Sequence, residues 1–153
     1  MKAILFFLVL MLSASIVINS QNLVAVQNGG DPTFYAEVKD AVTAAISGDT
    51  IYIPGGTYED IIINKKLHLV GVGHHPDSTS VTNMSQMSGS IALITGADGG
   101  SITGLKICNL VFGTSIENQS INNYIITRCW IGGLSLGKSS PGTSNNISII
   151  ENF

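Results

Sequence analysis

Apolar residues recur along this chain at a nearly constant step, and few folds can use such a pattern. Ile102, Leu105, Ile107, Leu110 and Phe112 reappear, at a step of 19, as Ile121, Tyr124, Ile126, Cys129 and Ile131. Tyr124 and Ile126 recur at a step of 23 as Ile147 and Ile149, with the added length falling between Gly132 and Ser144. Backward, Leu67, Leu69 and Val72 precede Leu105, Ile107 and Leu110 by a step of 38, which fits one turn of the chain with a long loop, or two turns. A sandwich gives no reason for a constant step. A parallel β-solenoid does, because each strand bonds to the next and equal positions stack into one core.

The punctuation agrees with short strands. Ile51-Tyr52-Ile53 stops at Pro54-Gly55-Gly56, Ile61-Ile62-Ile63 stops at Asn64-Lys65-Lys66, and Leu67 and Leu69 alternate with His68. One segment has a helical period instead. Phe34, Val38, Ala41, Val42, Ala45 and Ile46 fall on one face, after Asp31-Pro32 and before Gly48, which predicts an amphipathic helix over 34–46. Such a helix can cover the open hydrophobic end and unpaired edge of a first rung. Gly55, Gly56 and Tyr58 read as turn and packing residues.

Residues 1–20 have the pattern of a secretory signal: Lys2, an apolar run over 3–18, and small Ser20 before Gln21. The run is somewhat short for a membrane span of roughly 20 residues, and an uncleaved anchor is the alternative. The remaining 21–153 read as one unit with no further segment able to cross a membrane. Losing Lys2 takes the formal charge from −3 to −4. With so little basic charge, a surface that tracks nucleic-acid phosphates is excluded. Only 11% of residues are charged, against about 25% in an ordinary domain, which also excludes a coiled coil or a charged disordered tail. Cys108 and Cys129 fit either a disulfide of an oxidising compartment or two small buried thiols.

Helix 34–46, followed by Gly48-Asp49-Thr50-Ile51-Tyr52-Ile53-Pro54-Gly55-Gly56-Thr57-Tyr58, resembles the opening of a right-handed parallel β-helix of the pectin-lyase-like superfamily. Leu67-His68-Leu69-Val70-Gly71-Val72-Gly73 and Ile102-Thr103-Gly104-Leu105-Lys106-Ile107 are similar to its first coils. The resemblance implies an all-β fold: a right-handed parallel β-helix (solenoid) with an N-terminal amphipathic capping helix. It also implies a secreted or cell-surface protein that associates with extracellular polysaccharide or a surface glycan. The chain stops in mid-rung at Ile149-Ile150-Glu151-Asn152-Phe153, so 21–153 reads as the N-terminal part of a β-helix, truncated at its C-terminal end. In the enzymes of that superfamily the catalytic groups come from central coils, so no catalytic residue is assigned to this chain.

Motifs for other chemistry are weak. Gly132-Gly133-Leu134-Ser135-Leu136-Gly137-Lys138-Ser139 satisfies the phosphate-loop string, but Ser140-Pro141-Gly142 follows where a helix is required, so a loop between coils is the better reading. His74 and His75 are adjacent and read as loop surface, and His68 should face outward from its strand. Gly96-Ala97-Asp98-Gly99-Gly100 reads as a turn. No metal site or cofactor is assigned, and a monomer is expected.

The outer face holds the candidate site. In the register of the first repeat Val111 aligns with Trp130, and Trp130 with Phe153, forming an apolar column with Arg128 beside it; Arg128 aligns with Asn109 and Glu151. Two readings stand: the segment 132–144 folds back over the column, or Trp130 stacks on a sugar while Arg128 donates to a hydroxyl or carboxylate. The net negative charge makes neutral glycans the expected ligands. The competing functions are a non-catalytic binding or scaffold segment and the N-terminal part of a polysaccharide lyase, glycoside hydrolase or pectin esterase. No close pair of outward carboxylates of the kind glycoside hydrolysis uses is apparent.

Overall fold

A computed structural model describes residues 22–73, 83–113, 120–136 and 144–152. The segment 1–20 that reads as a signal, His74, His75, the latter part of the phosphate-loop string and Phe153 lie outside them. The described residues form thirteen strands and one short helix, an all-β class. The described residues begin with two strands, β1 (Val24–Gln27) and β2 (Thr33–Tyr35), paired antiparallel through Ala25 and Phe34. Helix α1 (Val38–Ala44) follows, then β3 (Thr50–Ile53), β4 (Gly56–Tyr58), β5 (Ile61–Ile63) and β6 (His68–Gly71). The rest are β7 (Ser85–Leu93), β8 (Ser101–Thr103), β9 (Lys106–Phe112), β10 (Ile125–Thr127), β11 (Trp130–Ile131), β12 (Leu134–Leu136) and β13 (Ser148–Ile150).

These strands make two sheets. One runs β13-β10-β8-β6-β3-β1-β2, and the other runs β11-β9-β7-β4, with β12 on β9 and β5 on β7. From β3 onward every pairing between successive passes is parallel. Inward positions align along each sheet: Ile51, Leu69, Ile102 and Ile126 are successive neighbours, and all four are fully buried. In the second sheet Ile61, Ile91 and Leu110 do the same. The alternation of buried and exposed residues along each strand is the period-two pattern that isoleucine-rich strands adopt over a shared core.

The helix is shorter than the sequence predicts. It spans seven residues rather than 34–46, because Thr33–Tyr35 are drawn into a β-ladder with β1. Phe34 and Ile46 are therefore exposed, and the buried face is Val38, Ala41, Val42 and Ala45. That face packs on β1, β2, β3 and β5. Ala45 ends the helix, and the Asp49 carboxylate accepts the backbone N–H of Ile46 at 2.8 Å to tie off the turn.

The register differs too. Ile102 lies beside Ile126, not Ile121; Ile107 lies beside Ile131, and Leu110 beside Leu134. The step is thus 24 and not 19, and Leu69 reaches its neighbour Ile102 in a single pass. The expected step of 23 between Ile126 and Ile149 holds. Part of the predicted loop after Gly132 is also reassigned: Leu134–Leu136 is strand β12, paired parallel with β9, which removes the loop geometry a phosphate site needs.

Turns lock this register. Gly99, Asn123 and Asn146 all have positive φ (72°, 55° and 56°) and occur one pass apart. Gly104, Arg128 and Glu151 form a second such set, at 69°, 54° and 54°. Asn tolerates the left-handed region through local hydrogen bonds. Here the bonds run between passes: the Asn122 side-chain amide donates to Asp98 at 2.9 Å, and Asn146 donates to Asn123 at 3.0 Å.

Candidate functional site

Trp130 opens β11 at an outward position and is 42% exposed. Its neighbour in the ladder is Lys106, and the neighbour of Lys106 is Gln86. Val111 pairs instead with Ala92 and Ser135, so the expected column of Val111 and Trp130 does not form. The outward row is Gln86, Lys106, Trp130: an amide, an ammonium and an indole on adjacent strands, about 4.8 Å apart. The Lys106 ammonium lies over the indole, 4.6 Å from the ring centroid. At that distance the positive charge is attracted to the negative face of the π-system.

The row lines a groove of about 400 Å³, completed by Met87, Ser88, Ile107, Cys108 and Gly132. Two local features shape it. Gly132 has no side chain, and a Cβ there would sit 2.8 Å from the Cys108 carbonyl oxygen, so the floor beside Trp130 is backbone. Across the groove, β7 shifts register between Met87 and Ser90. In that irregular stretch Ser88 donates to the Tyr58 carbonyl at 2.9 Å, while the Asp60 carboxylate accepts the Ser90 N–H at 2.8 Å. A Cβ on Gly89 would collide with that carboxylate, so glycine there leaves room for the Asp60–Ser90 hydrogen bond.

Arg128 is not part of this groove. It occupies the left-handed turn just before β11, and its backbone N–H donates to the Ile150 carbonyl at 3.3 Å. It stands in line with Gly104 and Glu151. Asn109, its other expected neighbour, lies beside Ser90 and accepts a hydrogen bond from the Ser135 hydroxyl at 3.3 Å. The cation that the structure brings to Trp130 is Lys106. Residue type alone does not single out Lys106; the step of 24 that separates it from Trp130 does.

The remaining candidates fall into place around the groove and the turns. Cys108 and Cys129 are both free thiols, the first exposed and the second buried. Burial pushes the Cys129 thiol up, and its sulfur donates to the Thr127 carbonyl at 3.2 Å. His68 is outward and half-buried, its Nδ1 2.9 Å from the Ser101 hydroxyl on the next strand. Asp98, within the predicted turn, anchors the Asn122 rung. Among the described residues no three His, Cys, Asp or Glu side chains converge, and no helix is long and apolar enough to cross a membrane. Compared with protein-family models, with curated proteins and with solved structures, the chain matches none of them.

Proposed function

We propose that the chain is a segment of a right-handed parallel β-helix, secreted or held at the cell surface, that binds extracellular polysaccharide through the Trp130 groove. The fold part of this reading is supported by the two parallel sheets that share inward columns, and by left-handed turn positions that repeat with each pass. The observation that carries the binding part is a half-exposed indole in an open groove beside an ammonium and an amide. An indole offers the largest flat apolar face of any side chain, which suits the apolar face of a pyranose, and the flanking polar groups suit its hydroxyls. Among the described residues no carboxylate lines the groove, which favours a binding role over acid–base hydrolysis there.

Trp130 is the sole tryptophan in the sequence, so emission excited selectively at the indole reports this groove alone. Titration with a panel of neutral and acidic oligosaccharides is expected to give a saturable emission change. Trp130→Ala, followed by calorimetry, is expected to lose about tenfold in affinity or more while keeping its thermal midpoint. A wild type with no saturable response, together with a Trp130→Ala variant that loses stability, would assign the indole to packing alone. The secretion part is tested by N-terminal sequencing of exported material, which should begin near Gln21; material beginning at Met1 overturns it.

A further inference from the structure

We propose that Lys106 sets the ligand class of this groove: it shields the Trp130 indole and yields that face to a glycan bearing an anionic substituent, carboxylate or sulfate. The proposal rests on the glycan-binding reading above and deepens it.

One face of the indole is already occupied, because the Lys106 ammonium lies 4.6 Å from the ring centroid. A pyranose that stacks there must displace the ammonium. Among the described residues that ammonium has no carboxylate partner to fall back on, and the ring is what it contacts. The other polar side chains in the groove, Gln86 and Ser88, are neutral.

A neutral sugar thus removes the cation–π contact and gives the ammonium only hydroxyls in return. An anionic sugar replaces it with a charge-assisted hydrogen bond while its ring takes the vacated face. The chain's net charge of −3 argues for neutral ligands. The groove is governed by its nearest charge instead, because distant charges are screened over about 8 Å at physiological salt.

The test uses matched ligands on one backbone: a cello-oligosaccharide, its C6-oxidised form bearing carboxylates, and its 6-sulfated form. Each is titrated into the wild type and into Lys106→Met, which keeps the stem and removes the charge; circular dichroism and a thermal melt establish that the variant folds. The wild type is expected to bind at least one anionic form about fivefold or more tightly than the neutral one, with the preference falling as salt rises. Lys106→Met is expected to lose that preference and to bind the neutral form about two- to fivefold better, since nothing then competes for the ring. Preference for the carboxylate or the sulfate form identifies which source the site reads, and either supports the proposal. Equal wild-type affinities, or a neutral affinity unchanged in Lys106→Met, would overturn it and leave glycan binding intact. No binding of any ligand by either protein would overturn the glycan reading itself. If Lys106→Met misfolds, Lys106→Gln serves for the same comparison.

Discussion

Tyr124 places a hydroxyl where nothing among the described residues receives it. The side chain is fully buried and its hydroxyl is unpaired. The ring lies one pass beyond Gly100, where a Cβ would stand 2.7 Å from it; glycine on one rung makes room for tyrosine on the next. Burial holds the phenol well above its ordinary value of 10.0, and Cys129 pushes in the same direction. Tyr124→Phe removes an unmet polar group without leaving a cavity, so denaturant unfolding at pH 7 should show it as stable as the wild type, or more stable by about 1 kcal/mol. A loss of that size would mean the hydroxyl has a partner. The pH dependence has a definite sign. The folded state keeps its proton after the unfolded chain has lost one, so this contribution is intact below pH 10 and is lost as pH rises beyond it. The wild type should therefore weaken above about pH 10 more steeply than Tyr124→Phe.

Helix α1 is too short to persist alone: seven residues fall well under the roughly 12 that an isolated helix needs in water. It exists because Val38, Ala41, Val42 and Ala45 are buried against the first strands. Val42→Asp would bury an unpaired charge at that contact, and chemical denaturation should register a cost of about 3 kcal/mol or more, with aggregation from exposed strand edges. An equally stable, soluble variant would remove the helix from its covering role. The apolar face of α1 is legible in the sequence, but its length is not. Phe34 fits a helical period, yet Phe34 sits in a ladder with Ala25, and only tertiary pairing decides between them. The strands show the same division. Ile102, Leu105, Ile107, Tyr124, Ile126 and Cys129 are buried as their spacing predicts, whereas their register is off by five. The cause is a motif that overlaps itself: Ile121, Tyr124 and Ile126 have the same spacing as Ile126, Cys129 and Ile131. Apolar positions alone cannot choose between the two. The dipeptides Asp98-Gly99, Asn122-Asn123 and Asn145-Asn146 can, since they recur at steps of 24 and then 23 and mark the left-handed turns. With that register the Lys106–Trp130 pair follows; without it the indole is given Val111 and Arg128 as neighbours.

Across the whole molecule the two ends of the sheets differ. At one, α1 and the antiparallel β1–β2 pair cover the first parallel strands. At the other, β12 and β13 are outermost among the described strands, and their inward residues Leu134, Leu136 and Ile149 are 53%, 76% and 41% exposed. These residues continue columns that are buried one pass earlier, at Leu110, Phe112 and Ile126. Parallel edges with apolar side chains recruit other strands. Sedimentation velocity of this chain should accordingly show self-association that grows with concentration, and Leu136→Lys should reduce it without lowering the thermal midpoint. A chain monomeric at all concentrations would mean that the edge is protected.

The unequal spacing of the passes has a further consequence. Thr50, His68, Ser101, Ile125 and Ser148 are successive neighbours in one sheet, although the stretch from His68 to Ser101 is nearly twice as long as the one from Thr50 to His68. Ladder and connector are independent variables, and doubling a connector costs only about 0.6 kcal/mol in closure entropy. For a gene encoding such a chain, inserted or deleted codons between passes are mild mutations. Heritable variety can then accumulate in connector length at the rims while the stacked strands, and any groove on their outer face, stay in place.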